Sequence, residues 1–455
     1  MTTAVDMNDP RVARLVLRVA LPAVAGLAAS AGHHAINAVF IGALGPDVLA
    51  GISLVMPLFL LVAAMGQGLG IGLATLLARH LGKGDVTAAS SVAATALAVT
   101  IPIGAILSVL IYLGLPGFVG ALGASDALLA PGLVYGRLLA FVVTLGLLQA
   151  VCDFIAIAEG NSRFSMIVLI ASFALNAVLD PVLIFLFEFR EAGAAFATIL
   201  SSVAALLCYA AYFWRRLGKV RVSVRLVRWQ LLRPIARIGI PAAATSVVTG
   251  LGFLVLLREA AVHGGDDGVA ATAIAIRLIT LGQLPIFGFC LGAQSVVSHA
   301  VGAGDLLRLR AAISVMLAVT VPIASLYSIL LFLGAEPIAR LFTDSPTVAA
   351  EAAAFLRALF PVFPLAAFQS VLLVMLQSRG RAALSAVVGL APQGYVFIPL
   401  LLLLPSWMGF TGVILAPAGA AILAAVLGLI IAQREWLAVL PTNTGHLVGQ
   451  SSLHP

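Results

Sequence analysis

Twelve stretches of this chain are apolar for long enough to cross a bilayer, and almost nothing between them is. They lie at about 12–42, 48–78, 88–114, 131–156, 164–187, 192–214, 232–262, 268–298, 309–333, 350–377, 383–404 and 409–433. A hydrocarbon core of about 30 Å needs about 20 apolar residues per helix, so each stretch can form one span. The connecting segments hold the turn formers, among them Gly82-Lys83-Gly84-Asp85, Gly160-Asn161-Ser162 and Gly264-Gly265-Asp266-Asp267. With 62% of residues hydrophobic and 9% charged, the chain lacks the polar residues to coat a water-facing surface. That excludes a soluble enzyme, a nucleic-acid partner and a disordered scaffold, and predicts an all-α integral membrane protein. Cys152, Cys208 and Cys290 sit inside apolar runs, which predicts buried small residues rather than a disulfide framework or a metal site.

Basic residues set the orientation. The N-terminus and every second loop carry nineteen Lys and Arg; the opposite face carries two, Arg190 and Arg340. The basic side includes Arg11, Arg14, Arg18, Arg79, Lys83, Arg163 and the dense run from Arg215 to Arg237. Positive charge marks the cytoplasmic side, so both termini and the long sixth loop are expected in the cytoplasm of a multi-pass inner-membrane protein. The expected organisation is an N-lobe over 1–214, a basic cytoplasmic linker over 215–231 that lies as an amphipathic segment on the anionic leaflet, a C-lobe over 232–434, and a cytoplasmic tail over 435–455. The first span is too long to be a signal peptide.

The chain is also a duplication. A shift of 220 residues superposes Gly72 on Gly292, Gly82 on Gly302, Gly84 on Gly304 and Asp85 on Asp305. It also superposes Pro102 on Pro322, Arg137 on Arg357, Gln149 on Gln369 and Gly160 on Gly380. A shift of 219 superposes Arg18-x3-Pro22 on Arg237-x3-Pro241, and Gly193 on Gly412. Each repeat has six spans, an even number, so the halves share one orientation around an axis along the membrane normal. Twelve helices in a six-plus-six arrangement around a central cleft imply transport by alternating access.

Ionisable residues at membrane depth are costly and mark function or a structural pair. Asp153 sits two turns from the cytoplasmic end of span four, where an arginine partner or the cavity is expected for it. Arg277 is deeper and is expected either to pair with Glu259 or to line the cavity. Asp180 stands apart: Asn176 is four residues earlier on the same helical face, and Pro181 frees the carbonyl of Ala177. A carboxylate, an amide and a free carbonyl form an oxygen-rich group suited to a proton or a hard cation. The equivalent C-lobe positions are Val396 and Leu400, so only one lobe keeps the group. Counting along their spans brings Asn37 and Thr198 into the same outer layer. Met56, Phe59, Met65, Phe287 and Phe289, with Gln149 and Gln369, supply a largely apolar cavity lining.

A Gly-x-Gly-Asp turn after spans two and eight, Pro22 in span one, Asn176-x3-Asp180, and Gly193-Ala194-Ala195-x-Ala197-Thr198 together resemble the multidrug and toxic compound extrusion (MATE) family. The resemblance covers about residues 11–434 and is strongest to its DinF-like branch. It implies a cation or proton site made by position 37, Asn176, Asp180 and Thr198, with Pro22 as a hinge in span one. It further implies export of amphipathic or cationic drug-like molecules by a monomer embedded in lipid, with no enzymatic activity and no cofactor beyond a coupling ion. One position departs from the branch, which has an aspartate where this chain has Asn37. The C-lobe acids of the other bacterial branch are absent too, since span seven opens Pro241-Ala242-Ala243-Ala244-Thr245-Ser246 and span ten has no acid after Glu351. A bare Na+ at Asp180 favours more negative charge than one carboxylate provides, whereas a proton needs a single acceptor. H+ coupling is therefore expected.

Three other readings fit less well. A major facilitator would carry an acidic and then a basic run after span two, where this chain has Arg79-His80-Leu81-Gly82-Lys83-Gly84-Asp85. A lipid-linked oligosaccharide flippase would favour extra spans and more cavity arginines. An intramembrane aspartyl protease would place its Gly-x-Gly-Asp within a span, and both copies here are in loops.

Overall fold

The computed structural model describes residues 5–121 and 126–437. Helices run α1 Val12–Gly42, α2 Pro46–Gly82, α3 Val86–Ala121, α4 Asp126–Ala158, α5 Ser162–Pro181 and α6 Arg190–Trp214. After the linker come α7 Leu232–Ala303, α8 Leu306–Leu333, α9 Ala335–Ala339, α10 Pro346–Leu359, α11 Pro364–Ser378, α12 Ala382–Leu390, α13 Phe397–Met408 and α14 Phe410–Leu437. Among the described residues there is no strand. Gly265, at φ 60° and ψ −154°, breaks α7 into two arms that each cross the membrane. The pairs α10/α11 and α12/α13 each make one broken span, which brings the total to the expected twelve.

Both breaks differ from the continuous spans the sequence predicts over 350–377 and 383–404. A single 3-10 turn, Phe360–Val362, separates α10 from α11, which bend by 47°. Pro361 and Pro364 explain it, because neither can donate to the preceding turn. Pro392 and Gly394 do the same between α12 and α13. The last helix also passes the expected start of the tail: Glu435 is buried and pairs with Arg379 (2.5 Å) and Arg381 (3.4 Å). Residues 438–455 of that expected tail lie outside the described residues. Cys208 is exposed rather than buried, while Cys152 and Cys290 are buried.

The duplication is visible in the backbone. Gly84 (φ 77°) and Gly304 (φ 70°) take the same left-handed conformation, as do Gly160 (84°) and Gly380 (73°). Asp85 and Asp305 accept the N–H of the residue three positions on, at 2.8 Å in each lobe, and so cap α3 and α8 alike. The two halves also grip each other reciprocally. A Cβ on Gly82 would lie 2.1 Å from the carbonyl oxygen of His299, and one on Gly302 would lie 2.0 Å from that of Arg79. Arg79 and His299 are themselves 220 positions apart. Higher up, Gly68 and Gly72 of α2 meet Ile235 and Gly239 of the first arm of α7, and Gly288 and Gly292 of its second arm meet Ala20 and Val24 of α1. These are one contact made twice, as a two-fold axis requires.

Every one of these contacts lies in the half of the bundle nearer the linker. There α2 is buried almost all round, with Leu73 and Leu77 at 0% exposure. In its other half Met56, Leu60, Leu61 and Met65 are exposed, and they point to more than one side. The lobes therefore meet at the linker end and part toward the far end. A strap reinforces the closed end. Val5 N–H donates to the Gly160 carbonyl (3.3 Å), Met7 is buried, and Arg308 donates to the Asp9 carbonyl, so residues 5–9 tie one lobe to the other.

The linker contains no α-helix. It has two 3-10 turns, Val224–Leu226 and Trp229–Leu231, and is pinned beneath the first six helices. Val220 N–H donates to Glu159 (2.5 Å), Arg221 N–H to Ser90 (2.9 Å) and Arg228 N–H to Thr95 (2.9 Å). Trp214, Val224 and Trp229 stay exposed along it.

Candidate functional site

Asp180 ends α5 at 0% exposure, the most buried carboxylate among the described residues. Pro181 after it removes one backbone donor, and the chain continues as a π turn over Val182–Leu186. Gly193 makes room for that turn: a Cβ there would sit 2.7 Å from the Leu183 carbonyl. The absence of a side chain thus lets α6 lie close against α5, and Gly412 plays the same part against Leu404 in the other lobe.

Asn176, one turn before Asp180, is the hub. In the orientation that satisfies all its neighbours, its amide nitrogen donates to Asp180 Oδ2 (3.2 Å) and to His33 Nδ1 (3.2 Å). Its oxygen accepts the Thr198 N–H (3.1 Å). Thr198 Oγ1 in turn donates to the Ala194 carbonyl (3.0 Å). Because His33 Nδ1 accepts, the ring proton belongs on Nε2. The ring stacks on Phe173 of α5, centroids 4.7 Å apart and 12° from parallel, so α1 and α5 meet through it. Asp180 Oδ1 is buried and has no hydrogen-bond partner. A free oxygen in apolar surroundings is a place for a proton or a cation.

Of the residues predicted for the site, Asn176, Asp180 and Thr198 are brought together. Asn37 is nearly buried one turn above His33 on the same face of α1, but no hydrogen bond joins it to the group among the described residues. His33 takes the place on α1 expected of Asn37. Tyr135 of α4 is buried in one cluster with Ile41, Ile184 and Ala194. The sequence sets the ionisable His33 one turn before Asn37 at membrane depth, where it and His34 could assist a proton's passage, but gives no sign of its bond to Asn176.

The candidate cavity residues divide. Met56 and Phe287 are 37% exposed, and Met65 is 42% exposed. Phe59 is half-buried between helices of the first lobe, and Phe289 is buried in the core around the second arm of α7, so Phe289 is packing rather than lining. Asp153 has neither an arginine nor the cleft. It accepts from Ser165 (2.8 Å) and from Tyr209, inside the first lobe. Glu259 pairs with Arg258 (3.1 Å) and His263 (3.6 Å), which leaves Arg277 exposed and outside that pair. Arg277 is three turns from Gly288 on one helical face, the face turned to α1. Gln149 is half-buried, and Gln369 is buried with Nε2 unpartnered. The polar contacts between the lobes are elsewhere. Gln294 donates to Thr75 (3.0 Å) and Ser246 to Gln67 (2.9 Å), while within the second lobe Gln294 also donates to Gln377 (2.9 Å).

Comparison with known proteins places this geometry. The family model described as MatE matches residues 22–182 and 241–403, one segment in each lobe. The multidrug export protein MepA of Staphylococcus aureus is 29% identical over 405 residues, 88% of this chain and 89% of that protein. MepA of Staphylococcus saprophyticus is 26% identical over 402 residues, with 88% of each chain covered. Among solved structures, an outward-facing MATE family transporter of the MOP superfamily superposes with a TM-score of 0.89 at 24% identity, over 96% of this chain and 99% of that one. A MATE structure in the straight conformation gives 0.90, at the same identity and coverage.

Proposed function

The chain belongs to the MatE family of membrane transporters, and we propose that it is an H+-coupled antiporter that exports amphipathic or cationic drug-like molecules. The observation that carries the coupling is Asp180 itself, a fully buried carboxylate with one oxygen held by Asn176 and the other unpartnered. The relatives named as multidrug export proteins support the substrate class. So does a cleft flanked by Met56, Met65 and Phe287, since polarisable and aromatic surfaces hold bulky amphiphiles loosely.

Basic residues favour a cytoplasmic linker end in the inner membrane. The closed end then faces the cytoplasm and the cleft opens outward. A proton entering from that side takes the free Oδ1 of Asp180. The neutral acid no longer attracts the Asn176 amide as a carboxylate does, and the link from Asn176 through His33 to α1 loosens. Pro22, 11 residues before His33, is where α1 lacks a backbone hydrogen bond and bends most easily. Bending there reshapes the cleft and releases the drug. Deprotonation toward the cytoplasm, once the lobes have rocked, resets the site. Asn37 and Thr198 complete the proposed site from the outer side. The placement of the carboxylate in the first lobe alone is what favours the DinF-like branch, and a monomer contains both lobes that the cycle needs.

The test is efflux of a cationic dye from proteoliposomes holding the purified full chain. Under an imposed pH gradient with no Na+ present, dye should move against its gradient. Efflux driven equally well by a Na+ gradient at zero pH difference and zero membrane potential would show the coupling to be wrong. No dye movement under either gradient would remove the substrate class.

A further inference from the structure

A groove of about 620 Å³ opens on the outside of the first lobe at the linker end, between α1 and the start of α5, away from the Asp180 group. Arg14, Arg18 and Arg163 line it, and Leu17, Leu21, Pro22 and Met166 form its apolar wall. Arg14 and Arg18 are one turn apart on one helical face, and Arg163 reaches in from the neighbouring helix. Among the described residues none of the three pairs with a carboxylate or donates a side-chain hydrogen bond. Snorkelling alone does not need three guanidiniums around one cavity. Three unpaired guanidiniums offer a fork of donors shaped for the oxygens of a phosphodiester.

The second lobe repeats the device in reduced form. Arg233 and Arg237 stand 219 positions after Arg14 and Arg18, and with Pro234 they line a smaller groove of about 230 Å³ at the equivalent place on α7. The third arginine has no counterpart there, since 219 positions after Arg163 the chain has Ala382. Neither Arg233 nor Arg237 has an acidic partner among the described residues.

We propose that the Arg14–Arg18–Arg163 groove is a binding site for the headgroup of an anionic phospholipid, and that Arg233 and Arg237 form its weaker pseudo-symmetric copy. The occupant is a lipid rather than a free anion because the walls are half apolar. Leu21 is 56% exposed at membrane depth, directly below the guanidiniums, where an acyl chain and not water is the neighbour. Basic pockets between helices on the cytoplasmic side are the sites where anionic headgroups gain most from both charge and burial. The inference does not rest on the transport reading: the groove shares no residue with the Asp180 group, and Pro22, the proposed hinge, only borders it.

Native mass spectrometry of the full chain in detergent, titrated with phosphatidylglycerol, phosphatidylcholine or inorganic phosphate, tests it. Phosphatidylglycerol should bind in two steps, the tighter one weakened about tenfold or more in R14Q/R18Q/R163Q and largely kept in R14K/R18K/R163K. R233Q/R237Q should weaken only the second step. Leu21→Glu places a carboxylate in the groove at an exposed position and should also weaken the tighter step, which covers the case of a triple variant that does not fold. Equal binding of phosphatidylcholine, or phosphatidylglycerol binding unchanged in both R14Q/R18Q/R163Q and Leu21→Glu, overturns the proposal. Displacement of the lipid by inorganic phosphate would instead identify a free-anion site and overturn it as well.

Discussion

Asp180→Asn is the substitution that separates the coupling chemistry from the fold. The two side chains have the same shape, and an asparagine oxygen can still accept from the Asn176 amide 3.2 Å away. What changes there is a charge-assisted bond replaced by a neutral one, a cost of about 1 kcal/mol, too little to unfold a twelve-helix protein. The functional loss is far larger. A cation within about 4 Å of a carboxylate, in an effective dielectric of about 20, is held by about 4 kcal/mol. Removing that charge lowers cation occupancy about a thousandfold. For a proton the loss is complete, since an amide has no acceptor that titrates in the working range. Purified wild-type and variant protein, reconstituted at matched density, would be compared for dye efflux under a pH gradient and for dye exchange with no gradient. Driven efflux should fall to background while exchange persists, because the cleft is untouched. If the variant kept driven efflux within about twofold of wild type, the proton would be travelling through another group and the argument from Asp180 would fail.

Three further outcomes follow from other contacts. Asn37→Asp restores a second acid near the site and should raise the Na+ dependence of efflux, read as a change in rate when Na+ replaces choline; an unchanged rate would mean position 37 does not face the ion. Gly302→Ala puts a methyl group where the Arg79 carbonyl stands 2.0 Å away, so the linker end should open, read as a longer distance between spin labels at positions 83 and 306; a distance like that of wild type would show that the closure is not made there. Met7→Ala empties a buried position of the strap, and the usual cost of about 2–5 kcal/mol for such a deletion should appear as faster labelling of a cysteine at 299, an effect absent if the strap is incidental.

The frame was legible because each of its parts has a local cause. Val12–Gly42 is bounded where the apolar run begins and ends, and the break at Gly265 falls in a Gly-Gly-Asp-Asp run that no bilayer tolerates. The glycines that coincide at a shift of 220 are the ones that take positive φ or touch the opposite lobe, so their spacing carried geometry as well as homology. The broken tenth and eleventh spans were signalled by Pro361, Pro364, Pro392 and Gly394, but hydropathy averages over such breaks. Proline in an apolar stretch also occurs in continuous helices, as Pro102 does within α3. The linker's path is illegible for a related reason: its arginines suggest a surface, and the hydrogen bonds that fix it come from Glu159, Ser90 and Thr95, which are scattered through the first lobe.

The site was legible by spacing where its partners share a helix, and by depth and family resemblance for Thr198 of α6. Asn176 and Asp180 announce each other by spacing. His33 reaches them only because α1 lies against α5; a single polar residue in an apolar helix carries no sign of its partner. The same holds for Gln294, Thr75 and Gln377, three lone polar residues that meet at the closed end. What the two lobes share and what they do not then has a physical logic. The contacts that close the linker end are duplicated, since two lobes related by a two-fold axis meet through the same surface. The acid is not duplicated. Where the first lobe has Asn176 and Asp180, the second has Val396, at the break in its eleventh span, and Leu400 one turn into α13. In the proposed antiport cycle both lobes move, but only one of them needs to sense the ion. A second buried carboxylate without a partner would cost stability and add nothing to that cycle.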